Sequence, residues 1–369
     1  MKKLGFGCLR LPMAGGEVDQ AQFNRMVDRF MKAGFCYFDT AHTYIGGKSE
    51  AAIREGLVKR YPRQDFMLAN KLTTPLFKSR EDIIPLFEEQ LAACGVEYFD
   101  YYLMHGLSGR LYKRFVESKA FDVVRSLKED GRVRHLGISF HDKPDVLERI
   151  LDAHPEIEVV QIQLNYLDFD DPVIEGGGVY EVCRKYGKPV IVMEPVRGGG
   201  LAKLPEAAQK YVNRIGGCSP ASLALRYAVS FEGVEIVLSG MSSEEQADEN
   251  IRTMKDPYPL NEQESAALEK IKRVFRGMGL IPCTACRYCI PGCPQNILIP
   301  RLFACLNAKK QFVDWDNSSS YEHYTGTKYG RASDCIGCGQ CEEICPQHLP
   351  VTKLLGAVAR VYDLTQAGV

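Results

Sequence analysis

The sequence predicts an α/β fold: a (β/α)8 TIM barrel followed by a small cysteine-rich domain. Three observations carry this. Over the first two thirds of the 369 residues, a unit of apolar strand, turn and amphipathic helix repeats. Eight such strands fall within about 250 residues, the count and size of a (β/α)8 barrel. Eight of the 14 cysteines stand in two tight runs near the C-terminus. A doubly wound open sheet is the rival architecture, but no glycine-rich dinucleotide fingerprint follows the first strand.

Leu4 to Gly7 is a weak first strand, and Gln20 to Ala33 is its helix, ended by Gly34. The second strand opens the stretch FCYFDTAHTY, Phe35 to Tyr44, and a helix runs from Ser49 to about Lys59. Phe66 to Leu72 is the third strand, with a helix from Ser79 as N-cap to Cys94 and Gly95 as its C′ residue. Phe99 to His105 is the fourth, followed by a longer loop and a helix from about Ser118 to Asp130. Val133 to Ser139 is the fifth, with Pro144 to Ala153 behind it; Val159 to Leu164 is the sixth, with Val179 to Tyr186. Pro189 to Met193 is the seventh, followed by a flexible loop at Gly198 to Gly200 and a helix from Ala221 to Ser230. Val234 to Leu238 is the eighth, with Ser243 to Met254. Asn261 to Phe275 reads as a helix leading out of the barrel, which places the barrel at 1–260 and the second domain at 261–369.

The bulk numbers narrow the partners. With 45% hydrophobic and 25% charged residues the composition is that of a globular chain. A net charge of −1 gives no reason to expect nucleic acid or an acidic membrane surface. Gly, Arg and Pro interrupt the apolar N-terminus too early for a signal peptide, and no run reaches membrane-spanning length. The expectation is a cytoplasmic protein with no nucleic-acid and no membrane partner.

Candidate chemistry sits at the strand ends. In a (β/α)8 barrel the C-terminal strand ends carry the active site. Asp39, Lys71 and His105 close three successive strands, and Tyr44 follows five residues after Asp39. A Lys within an apolar run needs a partner. A phenol titrates near ~10 in isolation, and a neighbouring buried cation lowers that value. A carboxylate would hold the cation, and an imidazole could donate to a substrate oxygen. The set suits proton transfer.

At these residues the sequence resembles the aldo-keto reductase superfamily, over roughly residues 1–255. The carrying motifs are DTAHTY with Asp39 and Tyr44, the Lys71 strand end, His105, GIS ending at Ser139, Gln161 in VVQIQLN, and DENI with Glu249 and Asn250. The resemblance implies reduction of an aldehyde or ketone, or oxidation of the alcohol, with NADPH or NADH. Tyr44 would be the general acid, Lys71 would tune it, Asp39 would pair with Lys71, and His105 would orient the carbonyl. Ser139 and Gln161 would hold the nicotinamide amide, and Glu249 and Asn250 the adenine. Three positions depart from the family pattern. Phe140 replaces the usual Asn after Ser139, Met193 stands where many members stack an aromatic ring, and Gln246 where many have Arg. A 2′-phosphate needs a cation, which Gln246 does not supply; Arg197 and Arg252 are the candidates.

Cys283, Cys286, Cys289 and Cys293 form C-x2-C-x2-C-x3-C with Pro294 behind, and Cys335, Cys338, Cys341 and Cys345 repeat it with Pro346. This is the bacterial ferredoxin pattern for two [4Fe–4S] clusters, in which the last Cys of each run ligates the other cluster. That rule groups Cys283, Cys286, Cys289 and Cys345 against Cys335, Cys338, Cys341 and Cys293. Zinc, which favours paired C-x2-C knuckles, is the weaker reading. The 41 residues between Cys293 and Cys335 exceed a minimal ferredoxin and are expected to form their own lobe, including the polar stretch Asp314 to Gly330. Cys305 and the other five single cysteines read as plain buried thiols. A ferredoxin-like module after such a barrel resembles the iron–sulfur branch of the aldo-keto reductases.

The leading expectation is therefore an NAD(P)H-dependent oxidoreductase acting on a small-molecule carbonyl, with an attached electron-transfer module that could serve a redox protein partner. The rival is a barrel without turnover that serves as a docking or sensing body for the two-cluster module. His42 reads as a solvent-facing loop residue, His135 and His141 as local structure, Trp315 as packing, and Glu88 and Glu89 as a solvated helix face.

Overall fold

The computed structural model describes residues 2–74, 76–171, 174–311, 318–325 and 328–364. The chain divides into two compact units, one of residues 1–196 and 221–261, the other of residues 197–220 and 262–369.

The first unit is a closed barrel of eight parallel strands: β1 Leu4–Gly7, β2 Tyr37–Asp39, β3 Met67–Leu72, β4 Phe99–Leu107, β5 Val133–Phe140, β6 Val159–Gln163, β7 Val190–Met193 and β8 Val234–Gly240. Each pairs with its sequence neighbours, and β8 closes onto β1. The apolar runs of the sequence become strands buried on both faces, because helices cover the outside and side chains fill the inside. Tyr37, Ala69, Tyr101, Leu103, Val159, Ile191, Ile236 and Leu238 pack the interior. At Gly137 a Cβ would lie 2.5 Å from Val159 Cγ1, so the missing side chain makes room for its neighbours. Outside, Phe6 meets Phe23, Phe30 and Phe38 at ring-centroid separations of 5.6, 5.5 and 5.7 Å. Each such buried ring contributes about 1.5–3 kcal/mol relative to exposure.

Several helices differ from the sequence expectation. The helix before Gly95 begins at Ile83, because Asp82 rather than Ser79 is its N-cap; the Asp82 carboxylate accepts from the backbone N–H groups of Lys78 and Ser79. The loop after β4 contains a helix, Gly109–Glu117, whose first turn is capped by the Ser108 hydroxyl, and the next helix starts at Ala120. The stretch after β7 holds a further helix, Glu206–Ile215. Gly198 is not simply a flexible loop residue. It has φ +64°, and a Cβ there would lie 2.5 Å from the carbonyl oxygen of Thr284, a close approach within the second unit that glycine permits.

In the second unit the helix Ile299–Gln311 packs on Val351–Tyr362. Leu302, Phe303 and Leu306 from the former share one core with Val351, Leu355 and Val358 from the latter, together with Tyr321. Tyr321 stacks on Tyr362 at 4.4 Å between centroids and donates to Asp363. The described part of the segment between the cysteine runs therefore belongs to the core of this unit and is not a separate lobe. Trp315 and the start of the polar stretch at Asp314 lie outside the described residues.

Candidate active site and cluster-binding loops

Strand register steps the candidate residues towards the C-terminal strand ends: Asp39 lies beside Ala69, two residues before Lys71, and Lys71 beside Leu103, two residues before His105. Gly7 lies beside Asp39 and Ser139 beside Gln161. Successive residues of a strand alternate in direction, so Lys71 and Thr73, Ser139 and His141, and Gln161 and Gln163 share the inward face.

Lys71 is fully buried and Asp39 is 2% exposed. The Lys71 ammonium donates to Asp39 Oδ1 at 2.6 Å and to the Thr40 carbonyl at 2.7 Å. Burial pulls the Lys71 ammonium down and pushes the Asp39 carboxyl up, and the attraction between them opposes both shifts. Asp39 Oδ2 has no hydrogen-bond partner among the described residues. Lys71 Nζ lies 4.6 Å from the centre of the Tyr44 ring. The His105 ring meets Tyr44 edge-on at 5.9 Å between centroids. Thr73 Oγ1 binds His105 Nδ1 at 2.7 Å and fixes the orientation of the imidazole. The structure thus brings together Asp39, Tyr44, Lys71 and His105.

Burial holds His105 well below the usual histidine range, and the charges of Lys71 and His141 add to that effect. The imidazole is therefore neutral at physiological pH. The unfolded chain takes up a proton below the ordinary value of about 6.5, and the folded chain does not. Stability should accordingly fall as pH drops below about 6.5, by at most about 1.4 kcal/mol per pH unit from this group. Thermal midpoints between pH 7.5 and 5.5 check this: His105→Gln should lose less stability over that range than the wild type.

Ser139 Oγ contacts His141 Nε2 at 3.3 Å and donates to Met193 Sδ at 4.0 Å. Gln161 is buried, and its Oε1 has no hydrogen-bond partner among the described residues. A buried amide oxygen without a donor is an acceptor fit for a carboxamide N–H. Asn250 donates to Ser239 Oγ at 2.9 Å, while Glu249 is half-buried. Gln246 is exposed, and its Oε1 accepts from the Ser242 N–H at 2.8 Å.

Thr73 and His141 were not singled out as site residues by the sequence; His141 reads there as local structure, whereas its charge acts on His105. The available signal was the two-residue strand period running from Lys71 and from Ser139. His42 is also more than a solvent-facing residue: its Nδ1 binds the fully buried Glu50 at 2.7 Å. His135 is structural, stacked on Tyr101 and paired with Glu158.

In the second unit the thiols fall into two sets. Cys293, Cys335, Cys338 and Cys341 line one cavity with Ile297, Ile299 and Leu355. Burial raises the Cys289 thiol, and the neighbouring Cys286, Cys283 and Cys345 raise it further. Each set thus gathers four cysteines in one neighbourhood, the number a [4Fe–4S] cluster takes. Among the described residues no three His, Cys, Asp or Glu side chains converge closely enough to hold a single ion. Cys305 is a buried thiol, as are Cys8, Cys94 and Cys183, while Cys36 and Cys218 are only partly buried.

Residues 3–273 match the model of the aldo/keto reductase family. The chain belongs to the aldo/keto reductase family. Residues 282–349 match the 4Fe-4S dicluster domain, so the C-terminal unit of this family member is a ferredoxin-type domain for two [4Fe–4S] clusters. The 4-dihydromethyl-trisporate dehydrogenase of Mucor mucedo is 36% identical over 252 residues, covering 61% of this chain and 73% of the relative. An aldo-keto reductase from Bacillus halodurans, solved in its holo form, superposes with a TM-score of 0.60 at 26% identity, over 73% of this chain and 91% of that one. An aldo-keto reductase from Klebsiella pneumoniae solved with NADPH shares the fold, with a TM-score of 0.59 at 20% identity, over 73% of this chain and 90% of that one. Among the described residues no helix is long and apolar enough to cross a membrane.

Proposed function

We propose that the barrel reduces an aldehyde or ketone to the alcohol, or runs the reverse reaction, with NADPH or NADH. The observation that carries this reading is the buried Lys71, bound to Asp39 and poised over the Tyr44 ring beside His105. The dinucleotide, when bound, supplies the hydride that reaches the carbonyl carbon. Tyr44 gives its phenolic proton to the carbonyl oxygen. Lys71 stabilises the negative charge that develops on the Tyr44 oxygen, and Asp39 keeps Lys71 in place. Neutral His105, oriented by Thr73, hydrogen-bonds the substrate oxygen and aligns the carbonyl. Ser139 and the open acceptor of Gln161 hold the nicotinamide carboxamide, and Glu249 and Asn250 form the adenine end of the cleft.

In the second unit Cys283, Cys286, Cys289 and Cys345 hold one [4Fe–4S] cluster, and Cys335, Cys338, Cys341 and Cys293 the other. The clusters, when bound, can pass single electrons, which makes a redox protein a candidate partner of this unit.

The test is anaerobic oxidation of NADPH and of NADH by the cluster-loaded protein against a panel of small aldehydes and ketones. Carbonyl-dependent oxidation supports the reading. Dinucleotide binding without any turnover would favour a barrel that only docks or senses. Cofactor choice has its own test at Gln246. The first turn of the helix Glu244–Lys255 presents Glu244 and Glu245, and Glu244 is paired with Arg25 and Arg29. Gln246→Arg should therefore raise the ratio of kcat/KM for NADPH over NADH about tenfold, the worth of one charge-assisted bond to the 2′-phosphate. An unchanged ratio would place the 2′-position elsewhere.

A further inference from the structure

We propose that Glu50, together with His42, is a positioning residue that holds Tyr44 and Lys71 in register with each other. The proposal rests on reading Tyr44 and Lys71 as the proton-handling pair, and it adds a residue that touches neither substrate nor cofactor.

Glu50 lies in the helix Lys48–Ile53, where an acid in the first turn would ordinarily face solvent. Instead it is fully buried. Burial raises its carboxyl above the usual range, and hydrogen bonds from Asn70 and His42 counter that rise. Each carboxylate oxygen has its own partner. Oε1 accepts from Asn70 Nδ2 at 2.7 Å, and Oε2 meets His42 Nδ1 at 2.7 Å.

Both partners adjoin the reacting pair. Asn70 precedes Lys71, and its Oδ1 accepts from the Lys71 backbone N–H at 2.8 Å. Gln90 donates to the Lys71 carbonyl at 2.9 Å and to Asn70 Oδ1 at 3.3 Å, and is itself held by the Tyr102 hydroxyl at 2.5 Å. The backbone of Lys71 is thus gripped at both its N–H and its C=O. His42 precedes Tyr44 by two residues. The turn that follows places Ile45, Gly46 and Gly47 in succession at φ of 54°, 63° and 87°. Three consecutive left-handed residues do not continue an α-helix, so this turn is held by local bonds such as those of the Lys48 N–H to the Tyr44 and Ile45 carbonyls. The Thr40 N–H and carbonyl tie the start of this segment to Ala69 and to Lys71 Nζ, and the His42–Glu50–Asn70 link adds a side-chain tie between the Tyr44 turn and the strand of Lys71.

Four variants separate positioning from simple stability. Glu50→Met removes both acceptors at similar volume. Glu50→Gln keeps an oxygen for Asn70 and offers an amide N–H to a neutral His42 ring nitrogen. His42→Phe removes the tie from the other side. Ile53→Ala opens a cavity on the same helix at a buried residue outside the network. Glu50→Met and His42→Phe should lose kcat on the order of 10²-fold with the dinucleotide KM little changed, the scale of a displacement of about 1 Å. Glu50→Gln should recover most of the rate, and Ile53→Ala should lower the melting temperature with kcat kept. Retained kcat in Glu50→Met, an equal loss in Ile53→Ala, or a loss carried by KM alone would overturn the proposal.

Amide hydrogen exchange gives a readout that needs no turnover. If the wild type reduces none of the panel, the catalytic reading fails, and exchange still decides whether Glu50 ties the two segments. In Glu50→Met, or in His42→Phe if the former does not fold, exchange should rise together at residues 43–47 and 70–72 and stay unchanged at 104–106. A rise in one segment alone, or across all three, would contradict the tie.

Discussion

Tyr44→Phe is expected to cut carbonyl reduction by roughly 10²–10⁴-fold, the usual worth of a positioned general acid, while dinucleotide binding is kept. The substitution removes one hydroxyl and leaves the ring. Lys71 therefore keeps its place 4.6 Å from the ring centre and its bond to Asp39. His105 keeps Thr73 and its edge contact with the ring. The fold loses little, so the lost rate reports the proton. Lys71→Met is a blunter test, because it strands the Asp39 carboxylate, 2% exposed, without its cation. Removing one partner of a buried pair costs about 3–5 kcal/mol, so that variant would lose stability and rate together. Steady-state rates of Tyr44→Phe with a saturating aldehyde decide the matter. A rate within a few-fold of the wild type would remove Tyr44 from the mechanism.

The second large effect concerns the cysteine runs. Cys345→Ala should remove the cluster held by the other run, at Cys283, Cys286 and Cys289, and leave the protein with about half its iron. Pairing this change with a second one distinguishes crossed from local ligation. With Cys286→Ala both changes strike the same cluster, and half the iron should remain. With Cys338→Ala they strike different clusters, and nearly all of it should go. Iron and sulfide analysis of the purified full-length variants gives the answer. The reverse pattern would mean that each run ligates its own cluster, against the cavity that joins Cys293 to Cys335, Cys338 and Cys341.

The barrel was legible in the sequence because its strands are apolar runs punctuated by glycine and by polar strand ends. Asp39, Lys71 and His105 stood out because an ionisable group is costly in such a run. The residues that support them did not stand out. Thr73 and His141 are ordinary polar residues until strand alternation turns them inward. Glu50 follows Lys48 and Ser49 at the start of a helix, where an acid is an ordinary residue. The left-handed turn before it gives no local signal either, since Ile45 adopts φ +54° without being a glycine. The helix Gly109–Glu117 escaped because it follows directly on a strand with only Ser108 between them. The expected lobe between the cysteine runs failed for a different reason. Apolar residues of Ile299–Gln311 find their partners some fifty residues later in Val351–Tyr362, a pairing that periodicity cannot show.

In the proposed reaction the barrel moves hydride from a nicotinamide to a carbonyl carbon, with Tyr44 as the proton donor. The direct measurement is a single-turnover reaction with NADPH or NADH deuterated at the transferred position of C4, followed by mass spectrometry of the alcohol. One deuterium on the carbinol carbon in the wild type, with none formed on the same timescale by Tyr44→Phe, is the predicted result. Alcohol that carries no deuterium, or equal labelling in the variant, would contradict it.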